Sequence, residues 1–383
     1  MSVQRIKAIF FDPYRLAKGM VFVALAYLTF VIILPNILSK WEAVRTVSAL
    51  DLTPAMRAEV VEALAQKLTQ RYLDAQKGAQ IATDLRKAAR DGDYDDVTSP
   101  IQFARLLTSE LIGSSRDLHL RVIFSADDVP DPGERNAPPA DKDDEQSLPA
   151  WLIDRLGRYQ ANFGVDQVTQ SDAGIGYLQL NGFFRPYLSA EKYAAAMDRL
   201  ADSRALIIDL RKNSGGAPES VALLASYFFD RPTHLSDIVT PRSGERQHMW
   251  TRKDIDGRRY GSSRPVYVLT SHDTFSAAED FAYAMQTHKR AIIVGEVTRG
   301  GAHPVAPFRL NAHFIAHIPV QESISPLTHR NWEGLGVQPD IWVPAGYARN
   351  VATIAILKKQ LATEADPTRR AKLQAWLQAS TRT

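Results

Sequence analysis

Ser276 stands where an apolar run gives way to a helical pattern, a position from which a hydroxyl can act as a nucleophile. Val266 to Thr270 reads as a buried strand and SHDTF as the loop after it. Ala277, Ala278, Phe281, Ala282 and Met285 then recur at helical spacing up to His288, and Ala291 to Val294 is a second buried strand closed by Gly295. A serine oxygen at such a turn lies beside the unpaired amides of a helix N-terminus, which favour developing negative charge. The plainer reading is a capping box, because Ser276 and Glu279 form the SxxE pattern of a helix start. Nucleophilic chemistry also needs a base, an orienting acid and a second amide donor for an oxyanion.

A second turn of the same construction lies upstream. ALIIDLR, residues 205–211, is a fully buried strand that runs into KNSGGAPES, where Gly215 and Gly216 allow close backbone approach and Pro218 opens a helix. Two strand–turn–helix units side by side would aim two sets of amides into one crevice, although a glycine pair in a loop is ordinary by itself. Histidine is the natural base. In SSRDLHLRVIF the alternation of Leu118, Leu120 and Val122 predicts a strand with His119 on its polar face. His313 and His317, four apart on a strand-like run, would be about 13 Å apart and cannot share a metal. With no HExxH and no cysteine, the sequence calls for no metal, cofactor, disulfide or thiolate chemistry.

The elements that must position these groups divide the chain. Its 383 residues are 45% hydrophobic, enough for a large core, and the net charge of +3 is interspersed, which gives no reason to expect nucleic acid. Residues 1–18 are a basic tail with Arg5, Lys7, Arg15 and Lys18 against Asp12. Residues 19–38 hold no charge and as a helix would be about 30 Å long, matching a bilayer's hydrocarbon layer. They predict an uncleaved transmembrane signal anchor with the N-terminus cytoplasmic and the remainder on the extracytoplasmic, periplasmic side, a cleaved signal peptide being the rival. Residues 52–122 read as a small helical domain, with Thr53-Pro54 and Ser99-Pro100 as helix starts, and 123–150 as a flexible insert rich in proline and charge. Residues 151–346 form the core, and 347–383 two helices split by Asp366-Pro367. Within the core, the basic stretch 231–264 reads as a hairpin-rich excursion whose Arg242, Arg246, Arg252, Lys253, Arg258 or Arg259 could meet a peptide carboxylate.

Five segments in order carry a specific resemblance: DLHL at 117–120, LIIDLRKNSGG at 206–216, LTSHDTFSAAEDF at 269–281, VGEVTRGG at 294–301 and WEGLGVQPDI at 332–341. The chain resembles the tail-specific, C-terminal processing serine peptidases, in the branch related to interphotoreceptor retinoid-binding protein and the tricorn protease core. The resemblance implies a crotonase-like α/β core of repeated strand–helix units behind the helical domain. It implies Ser276 as nucleophile, His119 as its base and Glu333 as the acid of a Ser-His-Glu triad. Gly215 or Gly216 together with Ala277 would form the oxyanion hole, and His303, beside the glycine turn, would touch substrate. The better-known half of the family uses a lysine where this chain has Gly301 and carries a peptide-binding PDZ domain for which residues 124–176 leave no room. The implied activity is cleavage of peptides or unstructured protein termini through an acyl-enzyme, fading on acidification through about pH 6.5 if the imidazole is unperturbed. The alternative is a non-catalytic carrier of retinoid or other lipid, or a protein-binding module, on the same fold.

Overall fold

Thr53 and Ser99 each precede a proline, and each begins a helix in the computed structural model, which describes residues 51–129 and 162–381. Thr53 Oγ1 accepts the Met56 N–H at 3.1 Å to cap α1 (Pro54–Arg71). Asp74 caps α2 (Ala75–Asp91) by accepting the Lys77 N–H at 2.9 Å, and Ser99 caps α3 (Pro100–Ser115). Such caps satisfy amides that a helix start would otherwise leave unpaired, each contributing about 1 kcal/mol. The three helices bury Val60, Leu64, Leu68, Ile81, Leu85, Phe103 and Leu107 in one cluster.

That cluster does not close on helices alone. After α3 the strand β1 (Arg121–Phe124) enters a three-stranded antiparallel sheet ordered β1-β10-β9, with β9 at Val305–Arg309 and β10 at Phe314–Pro319. Phe314, Ala316 and Ile318 pack with Leu120, Val122 and the helices, so a segment nearly two hundred residues downstream completes the N-terminal core. Burying a side chain such as Phe314 is worth about 1.5–3 kcal/mol, which explains why β9 and β10 are drawn to the helices.

The second core surrounds a six-stranded sheet ordered β12-β8-β7-β4-β3-β2. Its strands are β2 (Val165–Gln170), β3 (Ile175–Leu180), β4 (Ala205–Asp209), β7 (Val266–Thr270), β8 (Ile292–Gly295) and β12 (Ile341–Trp342). All neighbours are parallel except β2, which runs antiparallel at the edge. Every residue of β4 and of β7 is buried, as parallel strands covered on both faces require. One face is covered by α4 (Pro186–Leu200), α5 (Pro218–Ala225) and α6 (Ala277–Thr287), and the other by α7 (Ala345–Thr363) and α8 (Pro367–Ser380). The chain is thus a mixed α/β protein.

Because β4 and β7 are parallel neighbours, the turns that follow them emerge at the same sheet edge. Crevices at the carboxyl ends of such strands are where α/β proteins bind ligands. A small sheet, β6-β5-β11, flanks that edge, with β5 (His234–Thr240) and β6 (Glu245–Trp250) forming a hairpin and β11 (Glu322–Ile324) pairing with β5. The charge-free stretch 19–38 lies outside the described residues, as do most of the insert and residues 151–161. Among the described residues no helix is long and apolar enough to cross a membrane.

Candidate active site

The turns after β4 and β7 are in direct contact. Thr274 Oγ1 donates to Leu210 O at 2.9 Å, the Phe275 N–H donates to Asn213 O at 3.0 Å, and Ser271 Oγ donates to Arg211 O at 2.5 Å. A methyl group on Gly215 would lie 2.7 Å from Ser276 Cβ and 3.0 Å from Ala277 N, so only glycine permits this approach.

Ser276 itself has φ 57° and ψ −122°, a conformation rarely adopted by a residue with a side chain. Backbone strain of this kind costs about 1–3 kcal/mol and persists only where its surroundings impose it. Here the buried Glu279 carboxylate imposes it. Glu279 accepts the Ser276 N–H at 2.7 Å, the short arm of the expected capping box, and also the Gly300 and Gly301 amides at 2.6 and 2.9 Å and the Thr298 hydroxyl at 2.5 Å. One carboxylate therefore ties the serine turn to the Gly300-Gly301 turn, a role beyond capping that the SxxE pattern does not disclose.

Two donors are left for an oxyanion. The Gly215 N–H is already given to Asn213 Oδ1 at 2.9 Å, whereas the Gly216 and Ala277 amides have no acceptor among the described residues. Of the glycine pair, Gly216 is the one free to donate alongside Ala277.

His119 lies in a turn ahead of β1 and not on the strand, because the Asp117 carboxylate accepts the His119 N–H at 3.0 Å and folds DLHL back on itself. Its ring stacks on Phe275 with centroids 4.4 Å apart, and neither ring nitrogen has a hydrogen-bond partner among the described residues. Burial pushes its pKa down to about 4, with Asp117 opposing, so the imidazole is neutral at ordinary pH. Glu333 does not reach His119. Its Oε2 accepts the Ala302 N–H at 2.6 Å and lies 3.5 Å from His303 Nδ1, while Oε1 is buried without a partner. The expected hydrogen-bonded row of Ser276, His119 and Glu333 is therefore not formed. The reason is geometric: Trp332 Nε1 donates to Gly301 O at 2.7 Å, which seats the WEG loop against residues 301–303 and delivers Glu333 to His303.

His303 has the partners that His119 lacks. Its Nδ1 lies 2.7 Å from the buried Asp117 Oδ2, and Asp117 and Glu333 raise its pKa against the opposing effect of burial. Burial pushes Glu333 up to about 7, His303 opposing. Ser276, Ala277, Gly216, His119 and His303 nevertheless line a single cavity of ≈ 170 Å³. Asp117, His303 and Glu333 have ligand atoms close enough for one cation, as do His234, Asp237 and His248, whose Asp237 also pairs with Arg246 at 2.7 Å. Several cations proposed for a peptide carboxylate are committed elsewhere: Arg242 and Arg259 to backbone carbonyls, Arg246 to Asp237 and Arg258 to Asp202.

Gly301 explains the missing lysine physically. A side chain there would run into the Phe275 ring and lie 2.6 Å from His119 Cε1, so the stacked rings occupy the space a lysine would need. Gly301→Ala should displace the His119 ring, cost about 1–3 kcal/mol in stability and lower any hydrolytic rate, measurable by denaturant unfolding alongside turnover.

Two family models match the chain: peptidase family S41 over residues 174–343, and the N-terminal domain of that family in eukaryotic interphotoreceptor retinoid-binding protein over residues 42–156. The chain belongs to peptidase family S41. The chloroplastic carboxyl-terminal-processing peptidase 2 of Arabidopsis thaliana is 30% identical over 178 residues, 46% of this chain and 33% of that protein. The carboxyl-terminal-processing protease of a Picosynechococcus strain is 28% identical over 179 residues, 45% of this chain and 41% of that protein. The chain thus spans well under half the length of these S41 relatives. A solved structure of a Parabacteroides merdae protein shares the fold at TM-score 0.51 and 17% identity, covering 75% of this chain and 90% of that one.

Proposed function

We propose that this S41 chain is a serine peptidase acting on peptides or unstructured protein termini, with Ser276 as nucleophile. The observation that carries the proposal is Ser276, held at φ 57° at the head of α6, beside the acceptor-free amides of Gly216 and Ala277 and in one cavity with a neutral histidine. Membership of a peptidase family supports the same reading.

In the proposed reaction Ser276 Oγ attacks the substrate carbonyl carbon as its proton passes to His119. The oxyanion is met by the Gly216 and Ala277 N–H groups, the collapse expels the amine with the proton from His119, and water then hydrolyses the acyl-enzyme by the same route in reverse. His119 must turn toward Ser276 for this, and catalytic hydrogen bonds are often loose before substrate binds. Glu333 acts through His303: together with Asp117 it fixes residues 301–303, which lie beside the His119 ring. Labelling of the folded protein by a fluorophosphonate, abolished in Ser276→Ala, is the test, and folded protein that does not label would favour the carrier reading.

We further read the sheet and its helices as a crotonase-like core, and residues 19–38 as a signal anchor holding that core outside the cytoplasmic membrane. An external protease should then digest the core from spheroplasts but leave it intact in inverted vesicles, and the opposite pattern would overturn the topology.

A further inference from the structure

The serine cavity extends past the reacting groups to an acid that the proposed mechanism does not use. Asp280 lies four residues beyond Ser276, about one helical turn along α6, and lines the same cavity with only 6% of its surface exposed. Among the described residues its carboxyl has one hydrogen-bond partner, Ser236 Oγ, at a long 3.5 Å to Oδ2. No lysine, arginine or histidine among the described residues offsets its charge, and burial pushes the carboxyl up to about 7. Ser323, on β11, lines the cavity too, and its hydroxyl is buried with no partner. The apolar walls of the cavity include Pro218, Ile238, Val305 and Trp332, and His119 and His303 line it as well.

The result is a largely apolar cavity that holds the nucleophile, a buried carboxyl and the Ser323 hydroxyl. A buried carboxyl without a charge partner is costly unless a ligand supplies the partner. An aliphatic stem would suit the walls, and a cationic head would meet Asp280, with the Ser323 hydroxyl in the same cavity. A carboxylate in the same place would be repelled, so a free chain terminus does not fit here.

We propose that this cavity receives the side chain of the residue whose carbonyl Ser276 attacks, and that Asp280 selects lysine or arginine there. The acyl side is assigned because Asp280 lies on the helix whose first amide, Ala277, would hold the oxyanion of that same residue. The inference rests on Ser276 being the nucleophile and deepens that reading by naming the substrate class.

The test uses the full chain and matched fluorogenic peptides that differ only at this residue, carrying lysine, arginine, leucine, alanine or glutamate. Rates are normalised to the fraction of enzyme labelled at Ser276 by a fluorophosphonate. Lysine and arginine should exceed leucine in kcat/KM by about 100-fold, the scale on which a buried charge pair discriminates. Asp280→Leu should remove that advantage and raise cleavage after leucine, and Asp280→Asn should lower cleavage after lysine while keeping the shape of the cavity. Labelled wild-type enzyme that cleaves after leucine or alanine as fast as after lysine overturns the inference whether or not the variants fold. Retention of the lysine preference in Asp280→Leu does so too. Absence of labelling in folded wild type would instead count against Ser276 as nucleophile.

Discussion

Ser276→Ala is expected to lower turnover by up to about a million-fold, to the background set by binding and the oxyanion donors alone, and to erase fluorophosphonate labelling. The size of the effect follows from the arrangement. The strained backbone, the Glu279 anchor at 2.7 Å and the contact with Gly215 all present one oxygen beside two free amides, and among the described residues no other hydroxyl shares that setting. Alanine keeps the backbone and the Glu279 bond, so the variant should unfold within about 1 kcal/mol of wild type, which circular dichroism in denaturant can check. Turnover unaffected by the substitution would exclude Ser276 from the chemistry.

The second large effect separates the two histidines. His119→Ala is expected to lower kcat by about a hundred- to ten-thousand-fold, the range for loss of a positioned base. His303→Ala should act through its contacts with Glu333 and Asp117, and its loss should be smaller. Their pH signatures differ in sign. His119 is pushed down to about 4 by burial, so it remains a competent base until the pH falls well below 6.5, and the acid limb of kcat/KM should lie far to the acid side of an ordinary imidazole. If His303 were the base, its raised pKa would place that limb on the alkaline side of an ordinary imidazole. A limb on that alkaline side that moves in Glu333→Gln would report the His303–Glu333 pair and reject His119. A limb that stays far below 6.5 in both His303→Ala and Glu333→Gln would support it.

The strand–turn–helix units around Gly215 and Ser276 were legible from local pattern, because buried parallel strands are continuous apolar runs and their turns carry glycine or a capping residue. The contact between the two turns was legible only as a possibility, since strand order is set by long-range pairing and leaves no mark in either segment. His119 could be singled out from DLHL, but alternation overstated the strand: the Asp117 carboxylate bonds the backbone two residues on and holds His119 in a turn. Glu333 was assigned to His119 by resemblance, whereas its position depends on a tryptophan–carbonyl bond spanning 31 residues that spacing cannot reveal. Glu279 reads as part of a helix start in the SxxE pattern, and nothing in the pattern singles out Asp280 beside it. The clue to their burial was an α6 with almost no polar face, in which two adjacent acids have no route to water.

The supply of the two reacting groups from different apolar nuclei has a kinetic meaning. The hydroxyl rides on α6, whose Ala277, Ala278 and Phe281 belong to the sheet's core, while the imidazole precedes Leu120 and Val122, which belong to the helical one. Small slippage between these masses would alter attack geometry without melting either. A peptide spanning Gly216 and Val305 would grip both sides of the seam at once, so substrate occupancy itself would help bring base and nucleophile into line.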